Sequence, residues 1–133
     1  MSLRRLDDRT WVAGAVTPQD LDAAVGLGVT RIVNNRPDHE DPGQPASDVV
    51  AGWARDAGLD YAWIPIAGRP DADAVQATTA VLADDAAVLV FCRSGLRSAA
   101  AWAASRVTVG ALTPEDARAA AARAGFDLSG LPL

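Results

Sequence analysis

The most constraining feature of this sequence is the segment from Ala87 to Ser98, AVLVFCRSGLRS, in which an apolar run leads directly into a polar loop. The four apolar residues of Val88 to Phe91 are typical of a strand buried on both faces of a parallel sheet. Cys92, the only cysteine, follows at once, and an alanine-rich helical stretch covers residues 99–104. A strand, a tight loop and a helix start in this order bring backbone N–H groups to one point, which favours an anion there.

The residue types in the loop suit a cysteine nucleophile. A free thiol is mostly protonated at neutral pH, so Cys92 needs N–H groups and a cation nearby to form a thiolate. The planar guanidinium of Arg97 can bind two oxygens of a phosphoryl group, a geometry that lysine lacks. Gly95 supplies the backbone freedom of a loop that closes on an anion. The hydroxyl of Ser98 can serve the sulfur or the leaving atom, and a simple capping role is its alternative.

The residues between Cys92 and Arg97 are predicted to bind the anion mainly through their N–H groups. For Arg93, the sequence fits two roles equally well: a side chain that binds the anion, or a side chain that points outwards while only the N–H serves the loop. The four predicted anion-binding residues of the loop are Arg93, Ser94, Gly95 and Leu96.

The heptapeptide CRSGLRS at 92–98 resembles the Cys-loop-Arg signature that cysteine-dependent phosphatases share with rhodanese sulfurtransferases. Four residues separate Cys92 from Arg97, as in many rhodaneses, whereas tyrosine and dual-specificity phosphatases usually have five. The histidine that usually precedes the phosphatase cysteine is replaced by Phe91. The loop alone is compatible with either chemistry.

The rest of the chain resembles one bacterial family of dual-specificity-phosphatase-like domains, often fused to or encoded beside beta-lactamase-like hydrolases. Residues 32–40, IVNNRPDHE, are similar to its IxNxRPxxE segment, and further matches occur in the same order at 43–45, 63–66, Trp102 and 124–128. The early Asp-x-Arg and the later Gly-Gly…Trp of a rhodanese are not seen. The resemblance implies a three-layer cysteine-phosphatase-like α/β fold and a phosphatase reaction, although members are also labelled sulfurtransferases because of the loop.

A phosphatase also needs an acid to protonate the leaving oxygen. The resemblance implies an Asp after the strand that lies two elements before the loop, but positions 67 and 68 are Ala and Gly. Asp71 is better explained as a helix cap. We therefore take Asp38 as the first candidate and Glu40 as a lesser one. Arg36, on the same loop, is expected either to brace it or to contact the substrate.

The pattern of elements predicts an α/β domain over residues 1–133, with a mostly parallel sheet of four to five strands flanked by helices. The predicted strands are 10–16, 29–34, 60–66 and 87–91, and the predicted helix caps are Thr17, Ser47, Asp71 and Thr113. Cys92 and the 34–40 loop should share the carboxyl edge of the sheet, where ligands bind. The four tryptophans are expected in the core.

Composition excludes several classes of function. The net charge of −5 argues against a nucleic-acid or anionic-membrane binder. One cysteine fits a reducing compartment, and residues 1–10 contain no apolar signal-peptide core, so we expect a cytoplasmic protein. No Cys/His cluster has metal-ligand spacing, so neither metal nor cofactor is expected. A homodimer is compatible with the sequence.

Three hypotheses follow. The first is a phosphatase that forms a phosphocysteine on Cys92 from a phosphorylated substrate. The second is a sulfurtransferase that carries a persulfide on the same residue and takes a sulfur-containing substrate. The third is an anion- or thiol-sensing module without turnover.

Overall fold

The structure is a computed structural model that describes residues 3–133. Five short strands and five helices make up the regular structure of this part of the chain. The strands are β1 (Arg4–Asp7), β2 (Thr10–Ala13), β3 (Arg31–Asn34), β4 (Asp60–Trp63) and β5 (Val88–Phe91). The helices are α1 (Pro18–Gly26), α2 (Ser47–Asp56), α3 (Ala72–Val81), α4 (Leu96–Thr108) and α5 (Pro114–Arg123).

The strands form one sheet in the order β1-β2-β5-β3-β4. Strand β5 lies in the middle and pairs in parallel with both β2 and β3, and β4 extends the parallel part beyond β3. Only β1 runs antiparallel, at one edge. The predicted mostly parallel α/β sheet is therefore confirmed, with five strands.

The central strand separates two apolar layers. Val88 and Val90 pack among residues from α3, α4 and α5, whereas Leu89 and Phe91 pack among residues from α1 and α2. All four residues of β5 are at most 2% exposed. This two-sided burial explains why the strand is a continuous apolar run. The expected arrangement of helices on both faces of the sheet is confirmed.

Three of the four predicted helix caps are confirmed. Thr17 and Asp20 form a reciprocal capping box at α1, and Asp71 and Thr113 accept hydrogen bonds from Ala74 N and Asp116 N. The prediction for Ser47 is wrong, because Ala46 occupies the cap position and Ser47 is already helical. A side chain from outside the helix replaces the local cap: Asp38 Oδ1 accepts a hydrogen bond from Ser47 N at 2.7 Å.

Three of the predicted strands are shorter in the structure by at least two residues, and the sequence did not predict strand β1. Strand β2 ends at Ala13 rather than at residue 16, because Ala15 N turns to donate to Arg93 O at 3.2 Å. Strand β4 ends at Trp63 rather than at residue 66, although Ile66 N still donates to Asn35 O. Strand β3 begins two residues later than predicted. Strand β1 has one buried apolar residue, Leu6, and so gives almost no alternating signal.

The tryptophans do not all lie in the core. Trp102 is fully buried and donates a hydrogen bond to Asp7, whereas Trp63 is 43% exposed at the edge strand. The indole N–H of Trp63 donates to Arg36 O at 2.8 Å, so this ring stays at the surface and supports the loop after β3. Within residues 3–133, no helix combines the length and the apolar character needed to span a bilayer.

Candidate active site

The predicted loop lies at the carboxyl end of the central strand, where three strand ends meet. Cys92 N donates to Ala13 O at the end of β2, and Asn35 N, just after β3, donates to Phe91 O. Cys92 and the loop after β3 therefore share one edge of the sheet. The prediction that these two segments lie together is confirmed.

The sulfur of Cys92 is buried and surrounded by hydrogen-bond donors. The residue is 0% exposed, and Gly95 N donates to Sγ at 3.1 Å. Burial alone raises the pKa of the thiol, but the N–H groups of Ser98, Ser94 and Gly95 outweigh it and lower the pKa overall. The thiolate is therefore favoured by donors directed at the sulfur rather than by contact with water.

Gly95 holds a backbone conformation that other residues rarely adopt. Its φ is +98°, and it is the cap of α4. A Cβ atom at this position would lie 2.7 Å from Cζ of Phe126. Glycine is needed here for two reasons, the left-handed backbone and the close approach of an aromatic ring. In this backbone conformation, the N–H of Gly95 faces the sulfur.

Ser98 links the loop to a buried asparagine. Its Oγ donates to Asn35 Oδ1 at 2.6 Å, and Asn35 Nδ2 donates to Ile64 O at 2.8 Å. Ser98 and Asn35 are each 1% exposed, so this hydrogen-bonded chain is shielded from water. The backbone N–H of Ser98 also lowers the pKa of Cys92, whereas its hydroxyl hydrogen is directed at Asn35, so the predicted role of that hydroxyl at the sulfur stays a prediction.

The guanidinium of Arg97 is held by one carboxylate and one carbonyl. Its Nη2 and Nη1 lie 2.9 Å and 2.6 Å from the two oxygens of Glu40, and Nη1 also donates to Ile66 O at 2.5 Å. The Arg97 and Glu40 side chains are 16% and 17% exposed. Glu40 chiefly, and the Cys92 sulfur in addition, raise the pKa of Arg97, while partial burial lowers it. The arginine is thus oriented before any substrate arrives.

Arg36 braces the long loop after β3. It contacts Glu40 at 3.2 Å and Asp41 at 2.7 Å, and Asp41 in turn lies 3.3 Å from Arg93 Nε. Charges of alternating sign therefore run from Arg97 through Glu40, Arg36 and Asp41 to Arg93. Of the two roles predicted for Arg36, these contacts account for the bracing one.

The remaining predicted loop residues have mixed placements. The side chain of Arg93 is 63% exposed and pairs with Asp41. Of the two roles considered for Arg93, this placement fits the side chain that points outwards. Ser94 Oγ accepts a hydrogen bond from Leu96 N at 3.3 Å. Leu96 itself is 45% exposed as the first residue of α4. An anion bound at the loop would therefore meet backbone N–H groups and an exposed leucine.

The two acid candidates have other contacts in the structure. Asp38 Oδ1 is hydrogen-bonded at the start of α2, at Ser47 N. Glu40 lies between Arg97 and Arg36; the hydrogen bond from Arg97 lowers its pKa most, burial opposes this, and Arg36 lowers it further. A carboxylate with a lowered pKa is a poor proton donor near neutral pH, so Glu40 is better placed to orient Arg97.

Sequence reasoning missed three contributors to this site: Asn35, Asp41 and the orienting role of Glu40. Asn35 could have been found, because an amide directly after a buried strand needs partners and is seldom buried without a task. The contacts of Asp41 and Glu40 depend on how the loop folds back, and no spacing rule predicts them. Among residues 3–133, no three His, Cys, Asp or Glu side chains lie close enough together to hold a metal ion.

Residues 2–109 match the sequence profile of the phosphatase-like domain of the beta-lactamase hydrolase-like proteins. The chain belongs to this family. It is 32% identical over 130 residues to a beta-lactamase hydrolase-like protein of Xylella fastidiosa (strain Temecula1) and 29% identical over 130 residues to one of Agrobacterium fabrum. Each alignment covers 96% of this chain but 30% of the relative, so the chain spans about a third of these proteins' length.

Solved structures of phosphatases share the fold of this family member. A protein of Neisseria meningitidis, described as a "putative phosphatase", superposes with a TM-score of 0.85 at 26% identity and covers 98% of this chain and 93% of its own. PTPMT1 gives a TM-score of 0.74 at 20% identity, with coverage of 98% and 89%, and human DUSP28 gives 0.67 at 21%, with coverage of 92% and 80%. The tyrosine- and dual-specificity-phosphatase type of fold implied by the sequence resemblance is confirmed.

Proposed function

We propose that this domain hydrolyses phosphate monoesters through a phosphocysteine formed on Cys92. The observation that carries the proposal is the buried sulfur with a lowered pKa, which accepts a hydrogen bond from Gly95 N beside the oriented guanidinium of Arg97. Phosphatase-like relatives and fold neighbours support the same reaction class. A thiolate nucleophile next to fixed positive dipoles is suited to phosphoryl transfer, in which negative charge on the equatorial oxygens must be stabilised.

In the proposed first step, the Cys92 thiolate attacks phosphorus, the S–P bond forms and the ester P–O bond breaks. The Nη1 and Nη2 atoms of Arg97 contact Glu40 and Ile66 O, whereas its Nε takes part in none of these contacts. The Nε–H and the second hydrogen of Nη2 can therefore bind two phosphoryl oxygens side by side. The loop N–H groups supply the remaining donors.

In the second step, water attacks phosphorus, the S–P bond breaks, and inorganic phosphate leaves with the thiolate restored. The water gives up a proton as it attacks, and the leaving alcohol of the first step needs one. We propose Asp38 as the group that exchanges these protons. It lies on the loop that carries Glu40, and its contact with Ser47 N occupies Oδ1.

Leaving-group dependence tests the role of Asp38. If Asp38 supplies the proton, Asp38→Asn should slow alkyl phosphates, whose alkoxides leave poorly, far more than p-nitrophenyl phosphate, whose phenolate needs little help. Asparagine still accepts a hydrogen bond at the start of α2, so folding should be preserved. If Asp38→Asn slows the hydrolysis of both substrates equally, Asp38 has only the structural role of accepting the hydrogen bond at the start of α2.

A paired assay tests the reaction class. Hydrolysis of p-nitrophenyl phosphate is compared with sulfur transfer from thiosulfate to cyanide, each with Cys92→Ser as control. Phosphate release that disappears in the variant supports the proposal. Thiocyanate formation without phosphate release would replace it with sulfur transfer, which the four-residue spacing between Cys92 and Arg97 favours. Turnover of neither substrate would favour a binding module.

The setting of the reaction is also a proposal. The free, buried Cys92 must stay reduced to act, so we propose a reducing, cytoplasmic compartment. The absence of nucleic-acid and membrane partners stays a prediction from the net charge. A homodimer is compatible with the sequence and stays a proposal.

A further inference from the structure

Asn35 is held firmly where the end of β5 meets the segments that follow β3 and β4. Its backbone N–H donates to Phe91 O at 2.8 Å, and its backbone carbonyl accepts a hydrogen bond from Ile66 N at 2.9 Å. The residue is 1% exposed, so its side-chain amide must take its partners from the protein. One of these partners is the hydroxyl of Ser98, in the catalytic loop.

The orientation of the Asn35 amide follows from its other partner. Ile64 O can only accept a hydrogen bond, so the atom 2.8 Å from it is the donor Nδ2. The oxygen Oδ1 then faces Ser98 Oγ at 2.6 Å. Because an amide oxygen cannot donate, the hydroxyl of Ser98 supplies the proton of this hydrogen bond.

A serine hydroxyl has one proton, and the sulfur of Cys92 is a second acceptor for it. The N–H of Ser98 already acts on the sulfur, and the side chain of Ser98 is close enough for a hydroxyl turned towards the sulfur to lower the pKa of the thiol. A neutral thiol is a weak acceptor and does not compete with the amide oxygen of Asn35. A thiolate carries a charge, which makes it the stronger acceptor of the two.

We propose that Asn35 is a positioning residue that makes the Ser98 hydroxyl alternate between two acceptors. The proton lies on Asn35 Oδ1 while the sulfur is a thiol or carries a phosphoryl group, and it turns to the sulfur when the thiolate forms. Only the Cβ–Oγ bond of Ser98 rotates, and no covalent bond forms or breaks. This inference rests on the proposed phosphatase function for its place in the reaction, where the thiolate forms again as inorganic phosphate leaves.

The effect of Asn35 on the thiol has a definite sign. A hydrogen bond that is made only in the thiol form stabilises that form, so Asn35 holds the pKa of Cys92 above the value that a freely rotating Ser98 hydroxyl would give. A residue that only supported the loop would have the opposite effect. Its loss would loosen the donors around the sulfur, and the pKa of Cys92 would rise.

The charged groups near the sulfur do not change during a titration of the thiol near neutral pH. Arg97 acts directly on Cys92 and has a raised pKa, and Glu40 and Arg36 lie behind it. The pKa of Glu40 is lowered, so Glu40 and Arg97 both keep their charge. Asn35 is uncharged, so its replacement by another uncharged residue alters none of these charges.

A titration of the thiol, followed by the ultraviolet absorbance of the thiolate, tests this sign without any substrate. Cys92 is the only cysteine, so the difference from Cys92→Ser reports this group alone. Asn35→Leu removes the acceptor at a similar size, and we expect the pKa of Cys92 to fall by about 0.5–1 unit, the equivalent of one hydrogen bond. In the Ser98→Ala background, the same change should leave the pKa where Ser98→Ala alone puts it. Thr78→Val is the matched control, because it removes a buried hydroxyl that is bonded within α3, and it should not shift the pKa.

The nuclear magnetic resonance signals of the Asn35 side-chain amide give a second test in the wild-type protein. Asn35→Leu leaves Ile64 O without its donor, so this measurement decides if that variant does not fold. The amide signals should shift with the same midpoint as the thiol, because Oδ1 loses its proton donor when the thiolate forms. Most of that shift should disappear in Ser98→Ala.

The outcomes separate this inference from the proposed function. A pKa of Cys92 that rises or stays unchanged in folded Asn35→Leu would overturn the inference, and so would an equal fall in the presence and absence of the Ser98 hydroxyl. Amide signals of Asn35 that do not follow the thiol titration, or that follow it equally in Ser98→Ala, would also overturn it. The expected shifts in a protein that hydrolyses no phosphate ester would support the alternation of the hydroxyl and overturn the phosphatase function alone.

Discussion

Replacement of Glu40 by glutamine removes the carboxylate that orients Arg97, with little change in shape. Glu40 receives two contacts from Arg97 and one from Arg36. A hydrogen bond to a charged group contributes about 1.5–3 kcal/mol, and removal of one partner from a fully buried pair costs about 3–5 kcal/mol. Arg36 keeps Asp41, and Gln keeps one acceptor oxygen. The side chains are also 16–17% exposed, so we expect a loss of about 2–3 kcal/mol of unfolding free energy.

Urea unfolding measures this loss. The midpoint should fall by about 1–1.5 M with an unchanged slope, for a slope of about 2 kcal/mol per molar urea. Asp60→Asn serves as the control, because the Asp60 side chain is 75% exposed and lies 3.6 Å from Arg31. That change should alter the unfolding free energy by less than about 0.5 kcal/mol.

The effect of Glu40→Gln should depend on pH with a definite sign. The pKa of Glu40 is lowered in the folded protein, so its contribution is complete above the unfolded value of about 4.3 and is lost as pH falls through the folded value. The stabilities of wild type and variant should therefore converge in acid and diverge towards neutral pH.

The same variant should impair catalysis. A guanidinium displaced by about 1 Å can cost about 10²-fold, so kcat/KM for p-nitrophenyl phosphate should fall about 10–100-fold at a temperature where the variant is fully folded. Wild-type kcat/KM together with a wild-type urea midpoint would refute the idea that Glu40 orients Arg97.

Three further changes probe the loop. Ser98→Ala removes the hydroxyl that is predicted to serve the sulfur, so the acid limb of kcat/KM should move to higher pH; an unmoved limb would leave that hydroxyl to Asn35 alone. Gly95→Ala puts a Cβ 2.7 Å from Phe126 at a φ of +98° and should cost about 1–3 kcal/mol, measured by thermal or urea unfolding; unchanged stability would contradict the strained backbone. Arg97→Lys keeps a charge but loses the planar fork, so phosphate should inhibit it far more weakly and activity should be only partly retained; full activity would contradict two-point binding.

Much of the fold could be predicted because its signals are local. A short stretch of sequence is enough to predict each of three features: the buried strand β5, the helix start at Thr17 and the polar loop at 92–98. Strand β1 gave no such signal, since a four-residue antiparallel edge strand with one buried side chain depends on its partner β2. Ser47 has the residue type of a helix cap, but the acceptor at the start of α2 is Asp38, which lies nine residues earlier.

The site was predictable to the extent that its chemistry lies in consecutive residues. Cys92, Gly95, Arg97 and Ser98 come from one loop, so their proximity follows from the chain itself. Glu40 was considered as an acid, yet its partner Arg97 is 57 residues away, and the contact lowers the pKa that an acid would need raised. Long-range pairs of this kind require the tertiary fold.

The most direct test of the central claim is the mass of the peptide that contains Cys92 after rapid acid quenching during turnover of p-nitrophenyl phosphate. The account predicts an adduct with the mass of one phosphoryl group on Cys92, formed as fast as the first p-nitrophenol is released and absent in Cys92→Ser. Hydrolysis that continues in Cys92→Ser, or turnover that never yields the adduct at any quench time, would contradict it.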